Sequence, residues 1–154
     1  MADSPHIRLR KHLDAPLATP VWPDGVKPVH FEATDARAIH ALLDVGFPGG
    51  LVAPFADWYG NLTTDSEFDP ALCIAAVTDD DRVVGFVQCW TADFIKDLAV
   101  APDARGKGIG EALLLTVFAA FAARGTDYVD LKVEIDNAPA QRLYRRLGMT
   151  EAPL

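Results

Sequence analysis

Between Phe94 and Glu111 the chain passes from a β-rich run, Phe94–Val100, through Arg105-Gly106-Lys107-Gly108-Ile109-Gly110 into an Ala/Leu/Phe-rich stretch that closes at Gly125. Strand, glycine-rich loop and helix start, in that order, make an anion site for a physical reason. The first amides of a helix have no intrahelical acceptor, and the helix dipole puts partial positive charge at the same end. Glycines at 106, 108 and 110 adopt backbone conformations that most residues resist, and they let the backbone approach phosphate oxygens. Arg105 and Lys107 add countercharge. No Ser or Thr follows the Gly-Lys pair, which excludes a Walker loop, and Gly-x-Gly-x-Gly is not the dinucleotide pattern Gly-x-Gly-x-x-Gly.

The rest of the chain supplies the layers this loop needs. Residues 1–25 carry Pro5, Pro16, Pro20 and Pro23 and end in Trp22-Pro23-Asp24-Gly25, which reads as an extended arm. Val26–Phe31 is a strand that Pro28 confines to an edge or an end. Thr34 caps a helix through about Val45, and the irregular segment Phe47–Pro70, with a short helix at Phe55–Tyr59, is where loops build a substrate pocket. Ala71–Val77 and Arg82–Trp90 form a hairpin across Thr78–Asp81. Tyr128–Ile135 alternates Val129, Leu131, Val133 and Ile135 with charged residues, the period of a strand. Asn137 then caps a final helix with Pro139 in its first turn and Gly148 as its stop. This order predicts an α/β layered domain around a mixed sheet.

Composition narrows the classes. At 154 residues, half of them hydrophobic and 23% charged, the chain fits one globular domain. Met1–Leu17 lacks the apolar core of a signal peptide, and no apolar run approaches the ~20 residues of a membrane span, so a cytoplasmic protein without membrane attachment is expected. Cys73 and Cys89 lack CxxC spacing and read as buried thiols. The acidic Thr78–Asp81 run reads as a solvated turn, and His6, His12, His30 and His40 form no ligand or triad spacing, so no metal is expected. A formal charge of −8 argues against nonspecific nucleic-acid binding. An acidic protein still binds an anionic cofactor through local donors, and its field attracts a cationic amine.

Asp97-Leu-Ala-Val-Ala-Pro-Asp-Ala-Arg-Gly-Lys-Gly-Ile-Gly-Glu-Ala-Leu-Leu114 resembles motif A of the GNAT N-acetyltransferases, with Arg105, Gly108 and Gly110 meeting the pyrophosphate signature. Val133–Met149 resembles motif B, in which an Asn opens a helix and a Tyr follows seven residues later; Asn137 and Tyr144 hold those places. The resemblance runs from about Val26 to Met149, strongest after Leu72, and implies a GNAT domain over 26–154. It also implies a mixed, mostly antiparallel sheet with a splayed parallel pair, flanked by helices. Trp22–Gly25 and Phe68–Pro70 resemble mycothiol-synthase-like members of the family.

That resemblance implies acetyl-CoA as co-substrate. Backbone groups of Leu98, Ala99 and Val100 would pair with the pantetheine arm, amides of Arg105, Gly106, Lys107, Gly108, Ile109, Gly110 and Glu111 would hold the pyrophosphate, and Asn137 and Ala140 would lie beside the arm. Tyr144 matches the family's general acid, although its place on the Ala140/Leu147 stripe also suits packing. The base stays open among Asp97, Glu134 and a water relay. Arg145 and Arg146 suit the helix dipole or an adenosine 3′-phosphate. The implied activity is acetyl transfer to a small-molecule or peptide amine, with Phe55, Trp58 and Tyr59 as pocket aromatics; the alternatives are a noncatalytic acyl-CoA-binding module and a structural domain that binds no CoA.

One departure stands out. Family members continue past Leu-Gly-Met with two strands, whereas here only Thr150–Leu154 follows. The open slot calls for the N-terminal arm or a second copy, hence a possible homodimer, unless the chain is a piece of a longer one.

Overall fold

A computed structural model describes residues 5–154. Seven strands form one sheet in the order β2-β3-β4-β5-β6-β1-β7: β1 His6–His12, β2 Val26–His30, β3 Phe68–Thr78, β4 Val83–Trp90, β5 Phe94–Val100, β6 Tyr128–Glu134 and β7 Thr150–Ala152. Four α-helices flank it: α1 Ala36–Gly46, α2 Phe55–Thr63, α3 Ile109–Ala123 and α4 Ala138–Arg146. All neighbours are antiparallel except β5 and β6. The expected α/β layering and mixed, mostly antiparallel sheet are therefore present.

Strand alternation assigns the layers. On β4, a Cβ added at Gly85 would meet Ile109 and Leu113 of α3, whereas Phe86 packs toward Phe31. Phe86 pairs with Ala99 of β5, and Ala99 lies against Gly46 at the end of α1. Hence α1 and α3 cover opposite faces. Helix α3 is apolar nearly all round and buries Ile109, Leu113, Leu114, Val117, Phe118 and Phe121, as befits a helix in the core. The N-cap of α1 is Asp35, whose carboxylate accepts the Arg37 amide at 3.0 Å, one residue later than Thr34.

Residues 1–4 lie outside the described residues; within 5–25, the segment expected to be an extended arm contains a strand of the sheet. Residues 6–12 form a strand between β6 and β7, in register from His6↔Glu134 to His12↔Tyr128. Leu9 turns into the core, fully buried, while Arg8 and Arg10 face the other side and grip Asp130. Arg8 Nη1 donates to Oδ2 at 2.9 Å; Arg10 Nε and Nη2 donate to Oδ1 and Oδ2 at 2.8 and 2.9 Å. Of the occupants expected for the open slot, the N-terminal arm or a second copy, it is the N-terminal segment that fills it.

Candidate active site

The parallel pair β5/β6 is joined only at Phe94↔Asp130 and Ile95↔Leu131. On its other side β5 stays paired with β4 up to Gly85↔Val100, but the register slips between Gln88↔Asp97 and Cys89↔Ile95, leaving Lys96 without a partner. This is a bulge, and a bulge bends the strand that carries it. The bend falls where β5 leaves β6, so the edge of Leu98–Val100 away from β4 is left open. There the Val100 carbonyl accepts Arg105 Nε at 3.3 Å.

A cleft of about 520 Å³ occupies this opening. Of the residues singled out from sequence, Leu98, Ala99, Val100, Arg105, Gly106, Gly108, Ile109, Gly110, Glu111, Asn137, Ala140 and Tyr144 all line it; Lys107 does not. Gly106 and Gly108 sit at φ 78° and 85°, the left-handed region, with open space where a side chain would begin. Gly108 is the N-cap of α3, and no side chain caps that end, so the first amides of α3 lack a side-chain acceptor at the cleft. These features fit a diphosphate, which would supply the acceptors. Arg146 also lines the cleft and lies 3.7 Å from Glu111, whereas Arg145 is not on its wall.

Helix α4 brings in the remaining groups. Asn137 Oδ1 accepts the Ala140 amide at 3.3 Å, fixing the first turn, and Tyr144 follows two turns on. Burial pushes the Tyr144 hydroxyl above its ordinary pKa, so it keeps its proton at neutral pH.

A second cavity of about 500 Å³ lies beside the first, with Phe47 on the wall of both. It is lined by Trp58, Asn61, Asp65, Gln88, Trp90 and Asp97, among others. Of the two carboxylates considered as base, Asp97 is here, 3.2 Å from Lys96 Nζ, and Glu134 is on neither wall. Trp58 lines the cavity, while Phe55 and Tyr59 stack on each other outside it. Asn61, Asp65 and Gln88 were not singled out from sequence. The available signal was Gln88, the one amide inside an otherwise apolar strand. Cys73 and Cys89 are free and buried, and burial raises the Cys73 thiol to about 11. Among the described residues no cluster of His, Cys, Asp or Glu could hold a metal ion, and no helix is long and apolar enough to cross a membrane.

The acetyltransferase (GNAT) family model matches residues 32–149, and the chain belongs to that family. It is 46% identical over 89 residues to a mycothiol acetyltransferase of Clavibacter michiganensis, covering 55% of this chain and 29% of that protein. An uncharacterized N-acetyltransferase of Methanocaldococcus jannaschii is 32% identical over 112 residues, 70% of this chain and 65% of the other. Among solved structures, a GCN5-related N-acetyltransferase from Sphaerobacter thermophilus superposes with a TM-score of 0.84 at 32% identity, covering 96% of this chain and 48% of that one. The chain therefore spans less than a third of the mycothiol acetyltransferase and about half of the Sphaerobacter chain.

Proposed function

We propose that the chain moves an acetyl group from acetyl-CoA to a primary amine by direct transfer, with Tyr144 as general acid. The observation that carries this reading is one cleft with the uncapped start of α3 at one end and a desolvated tyrosine on its wall, adjoining a second cavity that holds a carboxylate. Acetyl-CoA supplies an activated thioester.

In this reading the amides from Gly108 to Glu111 bind the diphosphate, with Arg105 and Arg146 adding charge. The open edge of Leu98–Val100 takes the pantetheine amides as a neighbouring strand would, and the narrowing of the splay toward Ile95 sets the depth of the thioester. The amine enters from the second cavity, whose wall carries two carboxylates, Asp65 and Asp97, against one cation, Lys96, which pairs with Asp97. The ammonium gives up one proton there, to Asp97 or through water, which frees the nitrogen lone pair; a second proton leaves by the same route as nitrogen bonds the acetyl carbon and the carbon–sulfur bond breaks. Tyr144 gives its proton to the departing thiolate and regains one from solvent.

Tyr144→Phe is the test. General acid catalysis is worth about 10²–10⁴-fold, so turnover should fall at least a hundredfold while CoA affinity stays within a small factor. Parallel loss of both refutes the assignment. Thiol release with a panel of amines separates an enzyme from a binding module, which releases none above hydrolysis.

A further inference from the structure

Among the described residues Gln88, 3% exposed, is one of two buried polar or charged residues, the other being the ion-paired Asp130. Among the described residues no protein group hydrogen-bonds its side-chain amide, yet no fully enclosed side-chain polar atom is left without a partner. Its amide head therefore opens onto the cavity it lines. The backbone aims it there: Gln88 shares a face of β4 with Phe86 and Trp90, and its pairing partner across the bulge is Asp97. An amide nearly engulfed by protein, with its hydrogen-bonding capacity unspent and a carboxylate beside it, is built for a ligand.

We propose that Gln88 recognises a neutral hydrogen-bonding group, an amide or a hydroxyl, that the acceptor carries close to its amine. This rests on the reading of the second cavity as the acceptor side. The chemistry is complementary: Gln88 offers two N–H donors and a carbonyl, and on the same wall Asp65 matches an ammonium while Asp97 is shared with Lys96. Water satisfies the Gln88 amide when the cavity is free. An acceptor with an alkyl group in that position expels the water and leaves the amide unpaired, and the resulting loss makes polar readout more selective than the fit of a methylene. The favoured class is an amine with an amide or hydroxyl one or two carbons away, at the expense of plain alkylamines.

Glycinamide, ethanolamine and propylamine, similar in size, form the probe set. In wild-type protein with CoA bound, the Gln88 side-chain ¹⁵N–¹H₂ resonances, assigned by their loss in Gln88→Met, should shift with glycinamide or ethanolamine and stay in place with propylamine. The arm that shifts more distinguishes amide from hydroxyl. In turnover, the ratio of kcat/KM for the better polar amine over propylamine should fall about tenfold or more in the near-isosteric Gln88→Met. Shifts that are absent, or equal with propylamine, overturn the proposal, as does an unchanged ratio. Shifts without thiol release from any amine refute the enzymatic reading and leave Gln88 as a recognition residue; thiol release without shifts does the reverse.

Discussion

Replacing Gly85 by Ala tests whether the position of α3, rather than its mere presence, sets coenzyme affinity. A Cβ at 85 would lie 2.9 Å from Ile109 Cγ2, 3.0 Å from Leu113 Cδ1 and 3.2 Å from Ala76 Cβ. Carbon atoms pack best at about 3.5–4.0 Å, so the first turns of α3 must move away from β4 by roughly 0.5–1 Å. Overpacking of this kind costs about 1–3 kcal/mol; a stiffer unfolded chain returns about 0.4–1 kcal/mol. A net loss of about 1–2 kcal/mol, or a Tm lower by about 2–8 °C, is expected. The displaced residue is Ile109, the first residue of α3 and part of the cleft wall, so the shift acts where the uncapped helix start meets the cleft. Gly125→Ala is the control. It strains a residue at φ 79° at the far end of α3, with nothing within 4 Å of the new Cβ, and costs about 1–2 kcal/mol without moving the loop. Calorimetric titration with CoA well below both melting temperatures should show Gly85→Ala weakened at least fivefold and Gly125→Ala equal to wild type. Equal affinities in the two variants would refute the geometric account.

Gly108→Val forces a β-branched residue into φ 85°, which costs about 1–2 kcal/mol or rearranges the loop; CoA affinity should drop at least tenfold by calorimetry, and unchanged affinity would end the case for this anion site. Asp130→Asn removes the carboxylate that holds β1. Its partners Arg8 and Arg10 are about a quarter exposed, so the loss should be about 2–3 kcal/mol in urea unfolding at pH 7, below the full value for a buried pair. Although burial opposes ionisation, hydrogen bonds from Arg10 and Arg8 hold the Asp130 carboxyl below its ordinary pKa. Its contribution is therefore complete above the unfolded value of about 3.9 and disappears as pH falls through the lower native value. The difference between wild type and Asp130→Asn should narrow as pH falls below the unfolded value of about 3.9 and close once pH is below the native one; a constant difference would show that the pair is not its source.

What could be read from sequence was what local chemistry dictates. Gly106 and Gly108 announce left-handed backbone, Asn137 followed by Pro139 announces a helix start, and the apolar run after Ile109 announces a buried helix. Each signal lies within a few residues of the structure it determines. Strand β1 has no such signal. Only Leu9 is fully buried, and the arginines flanking it look solvated until Asp130, 120 and 122 positions away, is known to receive them. Phe47–Pro70, read from sequence as the segment that builds a pocket, does supply Phe47 and Trp58 to the second cavity, but the polar wall of that cavity was hidden for the same reason. Gln88 and Asp97 become neighbours through strand pairing, and Asn61 and Asp65 reach the same wall from α2 and the turn after it.

The bulge at Lys96 links the two cavities physically. In an unbroken ladder alternation would put Phe94 and Asp97 on opposite faces. With one residue unpaired, both Phe94 and Asp97 pair with residues of the Trp90/Gln88 face, so the extra residue turns the Asp97 carboxylate toward Gln88. The same residue bends β5 from β6 immediately after their last pairing, at Ile95. One inserted residue therefore both opens the edge that suits a pantetheine arm and supplies the carboxylate of the adjoining cavity. Because the two consequences share a cause, the distance between open edge and carboxylate is fixed by backbone rather than by flexible side chains. That is the condition under which a nucleophile and a thioester can be held within reacting distance.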